Sequence, residues 1–175
     1  MNKLLKNKYK KCFDWPKPYS WMVKDLIGGM YYEKGRPQGS YLVALGLICY
    51  TEIIGREILS FNNPNVKKES LNKKKCFNTF LGSYMSYNKI LEDFPDIYES
   101  FRHGLCHQYS IRGPETGVFV FYEPSSINDF KKMGVDTTKG LLLHKQNIKK
   151  VFVIEPYLEN FINGIEKFLK EKKEI

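Results

Sequence analysis

Residues 40–59 read Ser-Tyr-Leu-Val-Ala-Leu-Gly-Leu-Ile-Cys-Tyr-Thr-Glu-Ile-Ile-Gly-Arg-Glu-Ile-Leu, and on a helical projection the apolar positions lie almost all the way round. A surface helix carries one apolar stripe, whereas a helix that is apolar on every side must be wrapped by other elements or by lipid. The best uninterrupted apolar run, 41–50, is far shorter than the ~20 residues that cross a bilayer. The segment is therefore expected to be the central helix of a protein core, capped at its start by Ser40. Gly46 and Gly55 would let neighbouring helices approach closely. Glu52 is the acid inside the segment. It either faces solvent beside Arg56 on the thin polar edge, or is buried and requires a partner.

The remaining periodicities build a bundle around this helix. Residues 19–35 predict a first helix, with Trp21, Met22, Leu26 and Met30 at helical spacing and Gly28-Gly29 weakening it. Residues 62–75 contain Pro64 and lysine runs and read as a loop. Residues 76–91 predict a helix with Phe77, Phe80, Leu81, Tyr84, Tyr87 and Leu91 on one side. Asp93-Phe94-Pro95-Asp96 is a helix-start signal, and the helix that follows runs to about His107. Beyond Arg112-Gly113-Pro114 the pattern changes. Residues 118–122 and 151–154 are β-branched and aromatic, and 141–143 is a weaker strand, predicting a small antiparallel sheet within 116–155. A last helix occupies 156–171. The fold expected is mainly α: a single-domain bundle of four to five helices over 1–175, with a small antiparallel β insertion before the C-terminal helix and a basic N-terminal arm over 1–16.

Composition narrows the partners. The net charge of +9 favours phosphate-rich ligands, although lysine, asparagine and isoleucine are all abundant, as AT-rich coding produces without selection. Arg36, Arg56, Arg102 and Arg112 are the only arginines, so each is informative. Cys12, Cys49, Cys76 and Cys106 are scattered without a CxxC, giving no zinc-knuckle or thioredoxin pattern and fitting a reduced, cytoplasmic setting. Cys49, inside the apolar run, is expected to be buried. The basic N-terminus lacks a hydrophobic stretch and cleavage site, so no secretory signal and no membrane partner are expected.

The chemistry concentrates in Phe101-Arg102-His103-Gly104-Leu105-Cys106-His107-Gln108-Tyr109. On a helix over 96–107, Ile97, Tyr98, Phe101 and Leu105 form the core-facing stripe and Arg102 lies on its flank. His103 and His107, four apart, lie on the opposite face. Histidine can accept and return a proton near neutrality. Arginine stays charged and presents a planar fork to phosphate. Together they could cleave RNA without metal: one His deprotonates the ribose 2′-hydroxyl while Arg neutralises the scissile phosphate.

Arg102-His103-Gly104-Leu105-Cys106-His107 resembles the R-x4-H motif of HEPN domains, with His103 where Asn or Asp is commoner. The wording Phe-Arg-His-Gly-Leu-x-His-Gln-Tyr, after a long helix containing Tyr50-Thr51-Glu52-Ile53-Ile54-Gly55, is similar to a group of bacterial and archaeal HEPN-like proteins. The resemblance covers residues 40–110. It implies a helical bundle whose motif helix comes late, two copies meeting to form a composite site, and metal-independent endoribonuclease activity without cofactor, often in toxin–antitoxin or defence systems. It thus implies a homodimer, RNA and an antitoxin as partners. Other members bind or scaffold without cleaving. Transferred here, Arg102, His107 and His103 are the catalytic candidates, with Glu52 and Tyr109 supporting them. Competing readings are that Arg102 and His107 merely cap a helix end, that His103, Cys106, His107 and His144 hold a metal, that Cys106 acts as a nucleophile across subunits, or that the chain binds RNA or a nucleotide without cutting it.

Overall fold

A computed structural model describes residues 7–30, 40–103, 116–119, 140–144 and 149–175. The chain is mainly helical. Helix α1 spans Tyr19–Met30 and the central helix α2 spans Ser40–Asn62. Helix α3 spans Lys73–Thr79, α4 spans Asn88–Asp93 and α5 spans Ile154–Glu171. Strands β1, Thr116–Phe119, β2, Leu141–His144, and β3, Lys149–Val153, lie between α4 and α5 in sequence.

The central role expected of residues 40–59 is realised in α2, which buries Val43, Ala44, Leu47, Ile48, Ile54 and Ile58 and packs against α1, α3 and α5. Gly55 sets the α2–α3 distance. A Cβ there would stand 1.8 Å from the Cys76 carbonyl oxygen, so no other residue permits this approach. Thr51 donates to the Leu47 carbonyl at 2.8 Å and lies 2.8 Å from the Tyr157 hydroxyl, which satisfies two buried hydroxyls across the α2–α5 contact. Cys49, expected inside, is only half-buried.

α5 presents the clean stripe its spacing predicts. Tyr157, Leu158, Phe161, Ile165, Phe168 and Leu169 are all buried. Its first turn carries Glu155 and Pro156 and its last turn Lys170, the arrangement the helix dipole favours. Residues 7–16, expected within a basic arm, join the body. Tyr9, Cys12 and Trp15 are buried around a 3₁₀ turn, Lys10–Asp14, and Lys11 pairs with Glu166 of α5 at 2.5 Å while Lys8 pairs with Glu159.

Residues 62–75 are not wholly loop, and residues 76–91 do not form one helix. A 3₁₀ turn occupies Lys68–Ser70, and α3 begins earlier, at Lys73, because the Asn72 side chain accepts from the Lys75 amide at 2.9 Å. It then widens into a π-helical turn, Phe80–Tyr84, and stops where Ser86 takes a positive φ of 63°. The signal Asp93–Asp96 straddles two elements: Asp93 closes α4, and the next helical turn begins after Pro95. That turn, Tyr98–His103, is also π-helical.

The sheet has the order β1-β3-β2 and is mixed rather than antiparallel. β2 and β3 pair antiparallel with Leu142 opposite Val151, whereas β1 runs parallel to β3 with Val118 opposite Phe152. The reason lies in the connections. Four residues join β2 to β3, which suits a hairpin. β1, on the other edge of β3, runs opposite to β2, so the chain reverses direction twice between β1 and β3 and these two strands pair parallel. Gly140 ties this sheet to α5. Its φ is +69°, and a Cβ would lie 2.4 Å from the Tyr157 amide nitrogen.

Candidate functional site

Glu52 sits in the middle of α2, where the helix is surrounded, and its side chain is only 5% exposed. Of the two readings open for it, the structure gives the buried one. Such a carboxylate must be compensated, and two arginines do so. The Arg102 Nε donates to Glu52 Oε2 at 2.8 Å. Arg56, one turn further along α2, donates from Nη2 to Oε1 at 3.3 Å. The Tyr98 hydroxyl donates to Oε2 at 3.3 Å. One carboxylate therefore holds two guanidinium groups.

The π-helical turn Tyr98–His103 brings Arg102 there. Phe101 is fully buried with its ring 5.9 Å from Phe152 of β3, and Tyr98 packs edge-on to Phe77 of α3 at 5.5 Å. These two anchors fix both sides of the turn. Tyr98 and Arg102, four apart, then point the same way and reach one carboxylate oxygen. π-helical turns recur at functional sites because the wider winding re-aims side chains. Ser100 donates to the Asp96 carboxylate at 3.1 Å, which steadies the start of the turn. Lys74 donates to Glu99 at 2.9 Å and links it to α3.

The electrostatics follow from this packing. Burial pushes the Tyr98 hydroxyl up to about 12, the neighbouring Glu52 charge pushes the same way, and Arg102 opposes. Burial also raises the Cys76 thiol above its ordinary range, against the pull of the Arg56 guanidinium. Cys76 is thus an inert thiol beside the cluster rather than a nucleophile. The Arg56 Nε is buried and without a hydrogen-bond partner.

The structure unites Arg102 with Glu52, a pairing the sequence suggested only by the character of the two residues. Arg56, expected beside Glu52 on a solvent-facing edge, and Tyr98, expected in the core-facing stripe, complete the cluster. The Glu52-x3-Arg56 spacing and the four-residue step from Tyr98 to Arg102 are the signals that could have found them. His103 contributes backbone to the π-helical turn, and its side chain lies outside the described residues, as do His107, Tyr109 and Cys106 entirely. Among the described residues, no group of three or more His, Cys, Asp or Glu side chains could hold a metal ion, and no helix is long and apolar enough to cross a membrane. Comparison of the chain with family models, with curated proteins and with solved structures gives no match.

Proposed function

We propose that the chain is a HEPN-like, metal-independent endoribonuclease that works as a homodimer with a composite site, in a toxin–antitoxin or defence setting where an antitoxin would restrain it. The observation that carries this reading is the grip of buried Glu52 on Arg102. A carboxylate on Nε fixes the plane of the guanidinium, so the motif arginine is positioned in advance instead of ordered on binding. Two guanidinium groups meet at one carboxylate, and the planar guanidinium fork is the group that suits a phosphodiester.

In this mechanism His107 removes the proton from a ribose 2′-hydroxyl, and the 2′-oxygen attacks phosphorus in line. The O2′–P bond forms as the P–O5′ bond breaks. The leaving 5′-oxygen takes a proton from a protonated histidine, supplied by His103 or by the second copy. The products are a 2′,3′-cyclic phosphate and a 5′-hydroxyl, and Arg102 neutralises the charge that builds on the non-bridging oxygens. Glu52 positions Arg102, and Tyr109 supports the segment just past the motif.

A second reading rests on the same cluster. Both Glu52 oxygens are engaged inside the fold, as in an ion lock that joins the motif turn to the central helix of a non-catalytic RNA- or nucleotide-binding dimer. Purified protein incubated with single-stranded RNA in EDTA separates the two. The ribonuclease reading expects cyclic-phosphate ends and their loss in His107→Ala and Arg102→Ala variants that remain folded. RNA that stays intact with wild-type protein freed of any co-purifying partner, or cleavage that survives His107→Ala, overturns it.

A further inference from the structure

The lysines that give the chain its charge are not evenly disposed. Many are neutralised within the fold: Lys8, Lys11 and Lys170 by acids of α5, Lys68 by Glu57 and Lys74 by Glu99. Among the described residues, Lys67, Lys73 and Lys75 are exposed and have no carboxylate, ring or carbonyl partner. Lys10, Lys89 and Lys173 share that condition but are scattered, in the N-terminal 3₁₀ turn, in α4 and beyond the end of α5. The segment 67–75 holds five lysines against Glu69 alone.

Its place matters more than its count. Lys68 donates to Glu57, the residue after Arg56, at 2.7 Å, and Lys74 donates to Glu99, three residues before Arg102, at 2.9 Å. These two pairs moor the lysine-bearing turn against both elements that supply the guanidinium groups of the site. Glu69 is the one acid within the segment, so Lys67, Lys73 and Lys75 leave it an excess of exposed positive charge next to these two moorings. Asn72 caps α3 at 2.9 Å and Cys76 and Phe77 are buried just behind, so the ammonium groups project from a fixed base. Lys73, Lys74 and Lys75 also open α3 with no acid in its first turn, where the helix dipole disfavours positive charge. Intramolecular stability does not explain this placement, whereas an external polyanion does.

We propose that Lys67, Lys73 and Lys75 form the docking surface for the phosphate backbone of single-stranded RNA, leading it to Arg102. The class of partner rests on the ribonuclease reading above, because in-line attack by a 2′-hydroxyl needs an unpaired, flexible strand. A polyanion held by its phosphates suits exposed ammonium groups. An anionic bilayer fits less well. The segment itself exposes no large apolar side chain and Val66 just before it is the nearest one in sequence, too little to insert.

The test is binding of a 2′-O-methyl RNA oligonucleotide, which cannot be cleaved, as a function of salt. Lys67→Gln/Lys73→Gln/Lys75→Gln is compared with Lys10→Gln/Lys89→Gln/Lys173→Gln, which removes the same charge elsewhere. Three lost phosphate contacts at about 0.7 each lower the slope of log K against log salt by about 2, a roughly 50-fold weakening at about 0.15 M when the contribution vanishes near 1 M. The control triple variant is expected to bind nearly as wild type. Equal weakening in both triples, no weakening in the first, or binding to anionic phosphatidylserine vesicles in preference to RNA overturns the proposal. Cleavage failure is distinguishable: if wild-type protein binds the oligonucleotide through these lysines yet leaves unmodified RNA intact, the ribonuclease reading falls and the docking surface stands. If unmodified RNA is cut equally well by the first triple variant, the reverse holds.

Discussion

Replacing Glu52 with Gln preserves volume and most hydrogen-bonding reach while deleting the charge, so it isolates the electrostatic role of the carboxylate. In the native protein that carboxylate meets Arg102 at 2.8 Å and Arg56 at 3.3 Å while only 5% exposed. Two unit charges about 4 Å apart interact by about 4 kcal/mol at an effective dielectric near 20. The Arg56 side chain is 33% exposed, so solvent screens its share to about 1 kcal/mol or less. Arg102, at 18%, is screened less. Against the sum stands the desolvation of Glu52, which the variant no longer suffers. The net loss is about 2–3 kcal/mol, below the range for breaking a wholly buried pair. For a chain of this length that lowers Tm by roughly 5–10 °C.

Thermal and urea unfolding followed by far-ultraviolet circular dichroism measure the loss. The cycle is completed by Arg102→Gln and by the double variant. Residues that share one ion pair should show a coupling of roughly 1–2 kcal/mol, because removing the second partner costs less once the first is gone. About 1 M salt should reduce the coupling only in part, since the pair is shielded from counterions. A Glu52→Gln protein within about 0.5 kcal/mol of wild type, or strictly additive variants, would refute the view that this carboxylate fastens the motif turn to the central helix.

Two further outcomes follow from the packing. Gly55→Ala drives a methyl group into the Cys76 carbonyl, forcing α2 and α3 apart, and should cost about 3 kcal/mol or more, whereas Gly28→Ala, with open space around its Cβ, should gain about 0.5–1 kcal/mol from helix propensity; equal stabilities in urea unfolding would contradict the close approach. Burial holds the hydroxyls of Tyr9, Tyr19 and Tyr98 up to about 12. Their folded pKa exceeds the unfolded value near 10, so the stability they contribute is complete below pH ~10 and lost as pH rises between ~10 and ~12. Ultraviolet difference titration should show them ionising together with the loss of helical signal; reversible ionisation near pH ~10 with the fold intact would contradict their burial.

How much of this is legible in the chain depends on whether burial or backbone geometry decides. α2 and α5 are read correctly because their apolar spacing, all round in one and a single stripe in the other, reports directly which faces lose water. Gly55 is legible for the same reason: a small residue on a buried face marks contact. The π-helical turns and the break at Ser86 are not. Phe77, Phe80, Leu81 and Tyr87 are buried whether the backbone winds with four or five residues per hydrogen bond, so their spacing carries no instruction to widen. Asp93-Phe94-Pro95-Asp96 misleads because an acid at a helix start and an acid at the exposed end of the preceding helix look alike in sequence, and Pro95 suits the turn between them equally well.

For the site, scarcity was the useful signal. With four arginines in the chain, a buried acid needing a partner had few candidates, and two of them, Arg56 one turn along the same helix and Arg102 on the flank of its stripe, reach it. The partial exposure of that flank lets one side chain meet a buried carboxylate at its Nε and still border solvent at 18% exposure. Lysine could not replace it, since its charge is a single point with no second edge. The lysines themselves were ambiguous in sequence, where AT-rich coding and a selected anion surface give the same composition. The proposed docking surface separates the two by position. Acids of α5 neutralise Lys8, Lys11 and Lys170, whereas residues 67, 73 and 75, unneutralised like Lys10, Lys89 and Lys173, share one segment with the pairs Lys68–Glu57 and Lys74–Glu99 that border the two arginines. An uneven distribution of this kind is what selection for an anionic partner would leave.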